Sequence, residues 1–249
     1  MGSFRRRIVV NHRFLVQGGE VRATLEDDFH HFRVVVQYEF EQVTHVSGQA
    51  LRHPYTLCPS ALGQLPSLAG MRLDGVASSV TRATDAAQQC THLLDLAGLA
   101  VAAAAHRRSH RQYDIEVSDR VEGCTSALLR CDGLPLLQWD VQDTTITGPA
   151  PFVGVSLRHG LARFALETLA PDEAEAAIVL RRCAMISLGR QKNLDAMVHA
   201  VPTGHCYVQQ PERAEQALRV VGSTWDLTNR AAELCASDAP WLAWDNAQT

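Results

Sequence analysis

The sequence predicts an α+β fold: an N-terminal antiparallel sheet packed on a long helix, followed by further strands and a helical C-terminal part. Three observations carry this. Strand-like runs fill residues 6–51, among them Phe32–Phe40, which is rich in Val, Tyr and Phe and alternates at its end. One long apolar stretch, Leu93–Ala105, carries Leu93, Leu94, Leu96, Leu99 and Val101. Beyond Gly148-Pro149-Ala150-Pro151, proline-opened segments with acids in the first turn give a helical pattern.

Arg6–Leu15 and Val21–Leu25, around Gln17-Gly18-Gly19-Glu20, read as a hairpin with a Gly-Gly turn. Phe32–Phe40 and Glu41–Leu51 continue the sheet. Pro54, Pro59 and Pro66 interrupt it, and Pro59 can open a short helix over Ser60–Leu68. A longer helix is expected over Ala83–Ala105. Short strands follow at Gln112–Val117, Ser126–Cys131 and Leu136–Val141, with an Asp132-Gly133 turn. Helices are expected over Ser156–Leu169, from Pro171 to about Leu188 with Gly189 as the stop, and from Pro211 to about Val221. The Gly148–Pro151 linker suggests two parts, 1–148 (sheet plus helix) and 149–249 (helical), packed on one core.

Composition excludes several classes. The chain has 249 residues, 46% hydrophobic and 20% charged, enough for a substantial core. A net charge of −4 argues against nucleic acid as a partner. No apolar run reaches the ~18–20 residues of a membrane span. Met1–Val10 has no leader-like apolar region, and seven cysteines without tight spacing read as reduced thiols, so the expected location is the cytoplasm. There is no G-x-G-x-x-G, Walker loop, G-x-S-x-G or H-E-x-x-H pattern.

Two stretches attract chemical interest. His53-Pro54-Tyr55-Thr56-Leu57-Cys58-Pro59 and Cys90-Thr91-His92 bring together thiols and imidazoles, the favoured ligands of zinc. Their spacing differs from a C-x₂-C site, and each residue also reads as a buried thiol at a helix start or a capping histidine. The other stretch, Ile186–Asp195, holds Lys192, the only lysine of the chain, between Arg190 and Asp195. An ammonium can shed its proton where guanidinium cannot. Lys192 and Asp195, three apart, equally suit an exposed ion pair, and Arg190 a helix cap. His30-His31 reads as surface at a hairpin edge, and Gly204-His205-Cys206-Tyr207 as an ordinary turn.

The order Pro54, Cys58-Pro59, Leu65, Leu68-Ala69-Gly70-Met71, then Cys90-Thr91-His92-Leu93-Leu94-Asp95-Leu96 resembles a bacterial domain family of unknown function, number 2889. The resemblance covers roughly residues 5–105. Gln89 stands where the family has glycine, and Asp74-Gly75-Val76 where it has an aromatic Gly-Trp segment. The remainder looks like a longer form, similar to proteins of bacterial lignin-aromatic breakdown. Some of those are cofactor-free lyases that release formaldehyde from phenolic dimers.

That resemblance implies a small aromatic substrate, no cofactor and no metal. A deformylation needs an acid for the leaving oxygen, a base for the hydroxymethyl proton and a partner for the phenolate. Lys192, His53, His92 and Asp195 are the catalytic candidates. Tyr55, Thr91, Arg190, His205 and Tyr207 are the substrate-binding candidates. A zinc protein using Cys58, Cys90 and His92, and a non-enzymatic ligand-binding or assembly module, remain alternatives. Apolar faces on the C-terminal helices are compatible with a homodimer.

Overall fold

The structure, a computed structural model, describes residues 2–244. It is α+β, as the sequence predicts. Eight strands are hydrogen-bonded in the order β4-β3-β2-β1-β5-β6-β7-β8. They are β1 (Ser3–Phe14), β2 (Gly18–Asp27), β3 (His31–Glu39), β4 (Gln42–Arg52), β5 (His110–Ser118), β6 (Cys124–Cys131), β7 (Leu134–Gln142) and β8 (Thr145–Gly148). The chain divides into two compact units built from interleaved segments. The first comprises residues 8–111, 194–225 and 235–244; the second comprises 2–7, 112–193 and 226–234. Residues 148 and 149 both lie in the second unit.

In the first unit, β2 and β3 pair antiparallel with Val21 opposite Val36, Ala23 opposite Val34 and Leu25 opposite Phe32. All six side chains are buried. Against them packs helix α1 (Thr91–Ala105). Its residues from His92 to Ala104, Asp95 apart, are buried, so it is apolar around most of its circumference, as a core helix must be. Gly98 is needed for a close approach: a Cβ there would lie 2.2 Å from the Ala77 carbonyl oxygen of the neighbouring 3-10 turn.

Two expectations in this unit are corrected. Gly18 and Gly19 do not form the turn; they open β2, and the turn is closed by Leu15 N–H donating to the Gly18 carbonyl. A Cβ on Gly18 would meet the Tyr38 carbonyl oxygen at 1.9 Å, so glycine answers strand proximity there. The helix expected from Ala83 starts at Thr91. Asp85 instead caps a 3-10 turn by accepting from Ala87 N–H, and Gln89 is extended. The side-chain amide of Gln89 donates to Gln64 O, Ser67 Oγ and Thr84 Oγ1, which holds that extended backbone in place.

In the second unit, β5 to β8 form antiparallel pairs, with Ala127 opposite Trp139 and Val141 opposite Ile146. The short β8 is an addition to the expected strands. Helix α3 (Pro171–Ile186) packs on β6 and β7, and α2 (Leu161–Thr168) packs on α3. Trp139 is fully buried, its ring 5.1 Å from Phe152. The helix expected from Ser156 begins only at Leu161. Ser156 bridges to Thr145 and Leu157 N–H donates to Thr144 O, which ties residues 156–157 to the strand end.

The helix expected over Pro211–Val221 is confined to Pro211–Ala214. Ala, Glu and Leu favour helix here, but tertiary contacts override that preference. Leu218 bridges to His199 and Arg219 to Tyr55, drawing the chain out straight.

Candidate functional site

The chemically richest convergence lies where β2 turns into β3. Asp27 ends β2, and its Oδ1 accepts from the backbone N–H groups of Phe29 (2.7 Å) and His30 (2.8 Å). This Asx arrangement satisfies two turn donors with one carboxylate oxygen. The Asp27 N–H donates to the His30 carbonyl at 2.8 Å, closing the turn from the other side. The geometry brings His30 Nδ1 to 3.1 Å from Asp27 Oδ1.

His92 comes to the same place from the first turn of α1. Its ring stacks on that of His30, with centroids 3.9 Å apart and planes at 29°. Phe32 supplies the apolar wall, 5.5 Å from His30 and 6.1 Å from His92. Asp27 has no exposed surface, and His30 and His92 are each 9% exposed. One ligating atom from each of Asp27, His30 and His92 can be chosen so that all lie within 4.8 Å of one another.

Arg52, at the end of β4, braces the turn. Its guanidinium donates to the backbone carbonyls of Asp27, Asp28, His30 and Ser223. It lies 4.2 Å from the Trp225 ring centre, and Trp225 N–H donates to Asp28 O. Burial pushes the Arg52 pKa down, while the charges of Asp27, Glu26 and Asp28 oppose that shift. Cations of this kind, spread over several carbonyls and an aromatic face, suit arginine and not lysine.

On the opposite face of the same hairpin, His31 meets Glu26 and Asp238. The expectation that His30-His31 lies at the surface is therefore corrected: both are buried. The two neighbours point to opposite sides of the sheet, as strand alternation requires. In sequence, Glu26-Asp27-Asp28-Phe29-His30-His31 is a charged stretch between apolar strands, the same pattern a solvent-facing turn shows.

The candidates read from sequence are distributed as follows. His92 belongs to the cluster, and Thr91 precedes it half-buried at the start of α1. His53 is half-buried, its Nδ1 3.0 Å from the Tyr55 carbonyl. Tyr55 is half-buried, and burial raises its phenol pKa. Arg219 joins Tyr55 to Asp195. It lies 6.0 Å from the Tyr55 ring centre and donates to Asp195 Oδ1 at 2.9 Å. Asp195 is exposed; the Gly222 N–H and Arg219 hold its carboxyl below the usual range. His205 is exposed, and Tyr207 stacks under Arg213 at 4.1 Å.

Lys192 and Arg190 belong to the second unit. Lys192 is exposed and closes a 3-10 turn, its N–H donating to Gly189 O. Arg190 grips Asp119 with two hydrogen bonds (2.6 and 3.1 Å) and also contacts Asp226. A shallow groove of about 350 Å³ in this unit, lined by Ser118, Asp119, Thr125, Ser126 and Asp140 among others, contains none of the candidates.

For the alternative zinc set, Cys58 opens a 3-10 helix and Cys90 precedes α1, both buried. Burial pushes both thiols up, Cys90 to about 12. Among the described residues, the three-ligand group is Asp27, His30 and His92.

These features define an α+β protein with a largely buried carboxylate–imidazole–imidazole cluster between a hairpin turn and a helix start. Residues 13–106 match the model of a family described as "Protein of unknown function (DUF2889)", which bears out the resemblance to family 2889 over those residues. Asp27, His30, Arg52 and His92 all fall inside the match; Lys192, Asp195, His205 and Tyr207 fall outside it. No curated protein matches the chain. Among the described residues, no helix is long and apolar enough to cross a membrane.

Proposed function

We propose that the protein is a carbon–carbon lyase acting on a small phenolic substrate, with its reaction centre at Asp27, His30 and His92. The supporting observation is the stacking of two imidazoles at 3.9 Å, one of them bonded to a buried carboxylate. Two stacked imidazoles disfavour double protonation, which separates them into an acid and a base. Asp27 orients the His30 ring, and the first turn of α1 presents His92 to it.

In this reading His30 protonates the leaving oxygen beside the phenol ring. The phenol gives its proton to water and becomes a quinone methide. His92 then takes the proton of the CH₂OH hydroxyl. The carbon–carbon bond breaks, formaldehyde leaves, and the bond's electron pair restores the ring as a phenolate with a new alkene. The sequence is redox-neutral and needs no external electron acceptor. Tyr55, three residues beyond Arg52, is the proposed hydroxyl partner of the phenolate.

The test is formaldehyde release from a phenolic dimer carrying a hydroxymethyl group. His30→Ala and His92→Ala should each lower the rate by roughly 10²-fold or more. Wild-type rates in both variants, or no formaldehyde from the unaltered protein across a panel of such dimers, would overturn the reading.

A further inference from the structure

We infer that Asp27, His30 and His92 form a binding site for one divalent transition-metal ion. The inference rests on the reading of this cluster as the reaction centre; in the ion-bound form the ion replaces the proton as electrophile, and His30 and His92 are ligands rather than acid and base.

Two imidazoles and one carboxylate are a donor set suited to zinc or ferrous ion, and three protein ligands leave coordination positions open for a substrate oxygen. The Asp27 Oδ1 to His30 Nδ1 separation is 3.1 Å. Two ligands about 2.0–2.2 Å from one ion lie roughly 3–3.5 Å apart, so the separation now spanned by a hydrogen bond suits two ligands of one ion. The third ligand is within reach, since the chosen atoms of all three residues lie within 4.8 Å.

The surroundings fit a cation. Glu26, Asp27 and Asp28 are consecutive and buried, and the Arg52 guanidinium lies close enough to feel the charge of all three. The turn that carries two of the ligands is rigidly braced, because Arg52 holds its carbonyls and Asp27 its N–H groups. Such fixation holds the Asp27 carboxylate and the backbone of His30 before the ion arrives. The slight exposure of His30 and His92 gives the ion its entry.

The ring stack must open. Two imidazoles on a tetrahedral ion have centroids roughly 5 Å apart, against 3.9 Å here, so one ring turns about its side-chain bonds when the ion binds.

The experiment uses the full chain, stripped with a chelator. Zn²⁺ is titrated by calorimetry and Co²⁺ by visible absorption. The proteins are wild type, Asp27→Asn, His30→Gln, His92→Gln and the double variant Cys58→Ser/Cys90→Ser. Asp27→Asn retains the oxygen that accepts from the turn, and metal-free melting curves confirm that each variant is folded. One ion per chain is expected in wild type and in the double variant. Affinity should fall roughly tenfold or more in the other three. Absence of binding to wild type overturns the inference. So does equal affinity in the Asp and His variants, or a thiolate-to-cobalt band that disappears in the cysteine double variant. Formaldehyde release by a wild-type protein that binds no ion sinks the metal and leaves the lyase. Ion binding without formaldehyde release from any dimer does the reverse.

Discussion

His31 Nε2 lies 2.8 Å from Asp238 Oδ2, although 207 residues separate them in sequence. Asp238 has no exposed surface and also receives Thr24 Oγ1 at 2.7 Å and Arg33 Nε at 2.6 Å. Burial alone would raise the Asp238 pKa, but the hydrogen bonds from His31, Thr24 and Arg33 hold it below the usual range. A carboxyl whose folded pKa is depressed contributes stability that is present above its unfolded pKa, near 3.9, and lost as pH falls through the folded value. Thermal melts should therefore show stability falling below about pH 4. Asp238→Asn should be less stable by about 2–4 kcal/mol at neutral pH and should show a weaker acid dependence. Identical acid profiles for the two proteins would refute the assignment.

Arg52→Lys keeps the charge but cannot span several carbonyls and the Trp225 face at once. Denaturant unfolding should show a loss of about 2–4 kcal/mol, because turn carbonyls lose a charged donor in a buried setting. Trp225→Ala should cost less, about 1–2 kcal/mol, since it removes the aromatic face and leaves the Arg52 hydrogen bonds in place.

Gly98→Ala pits helix propensity against space. Propensity favours alanine by about 1 kcal/mol. The added Cβ would meet backbone at Ala77, which cannot swing aside, so a net loss of about 1–3 kcal/mol is expected. Gly63→Ala is the control: nothing lies within 4 Å of its added Cβ, and its melting temperature should stay level or rise slightly.

Lys192→Arg distinguishes a titrating ammonium from a surface charge. The side chain is exposed, so thermal stability should match wild type, and so should formaldehyde release if the proposed lyase reaction occurs. A lost or pH-shifted rate would return the lone lysine to the chemistry.

The hairpin strands and α1 were legible because each carries a simple signal: alternation over Val21–Leu25 and an unbroken apolar run over Leu93–Ala105. Their ends were less legible. The stretch Ala83–Gln89 has helix formers, and only the side-chain bonds of Asp85 and Gln89 show why it is not α-helical. Of the proposed cluster, His92 was visible through its Cys-Thr-His motif. Asp27 and His30 were not, because a charged turn between strands looks like solvent-facing chain. Its burial depends on Ser223, Trp225 and Asp238, whose proximity no local pattern encodes.

Those long separations set an order of assembly. The strands and helix that bring Asp27, His30 and His92 together are complete by residue 105, so a chain emerging from the ribosome can bring the imidazoles together early. The Ser223 carbonyl that Arg52 grips comes 171 residues after it, and closing so long a loop is slow. The nascent protein thus brings the carboxylate and the two imidazoles together before it carries their clasp.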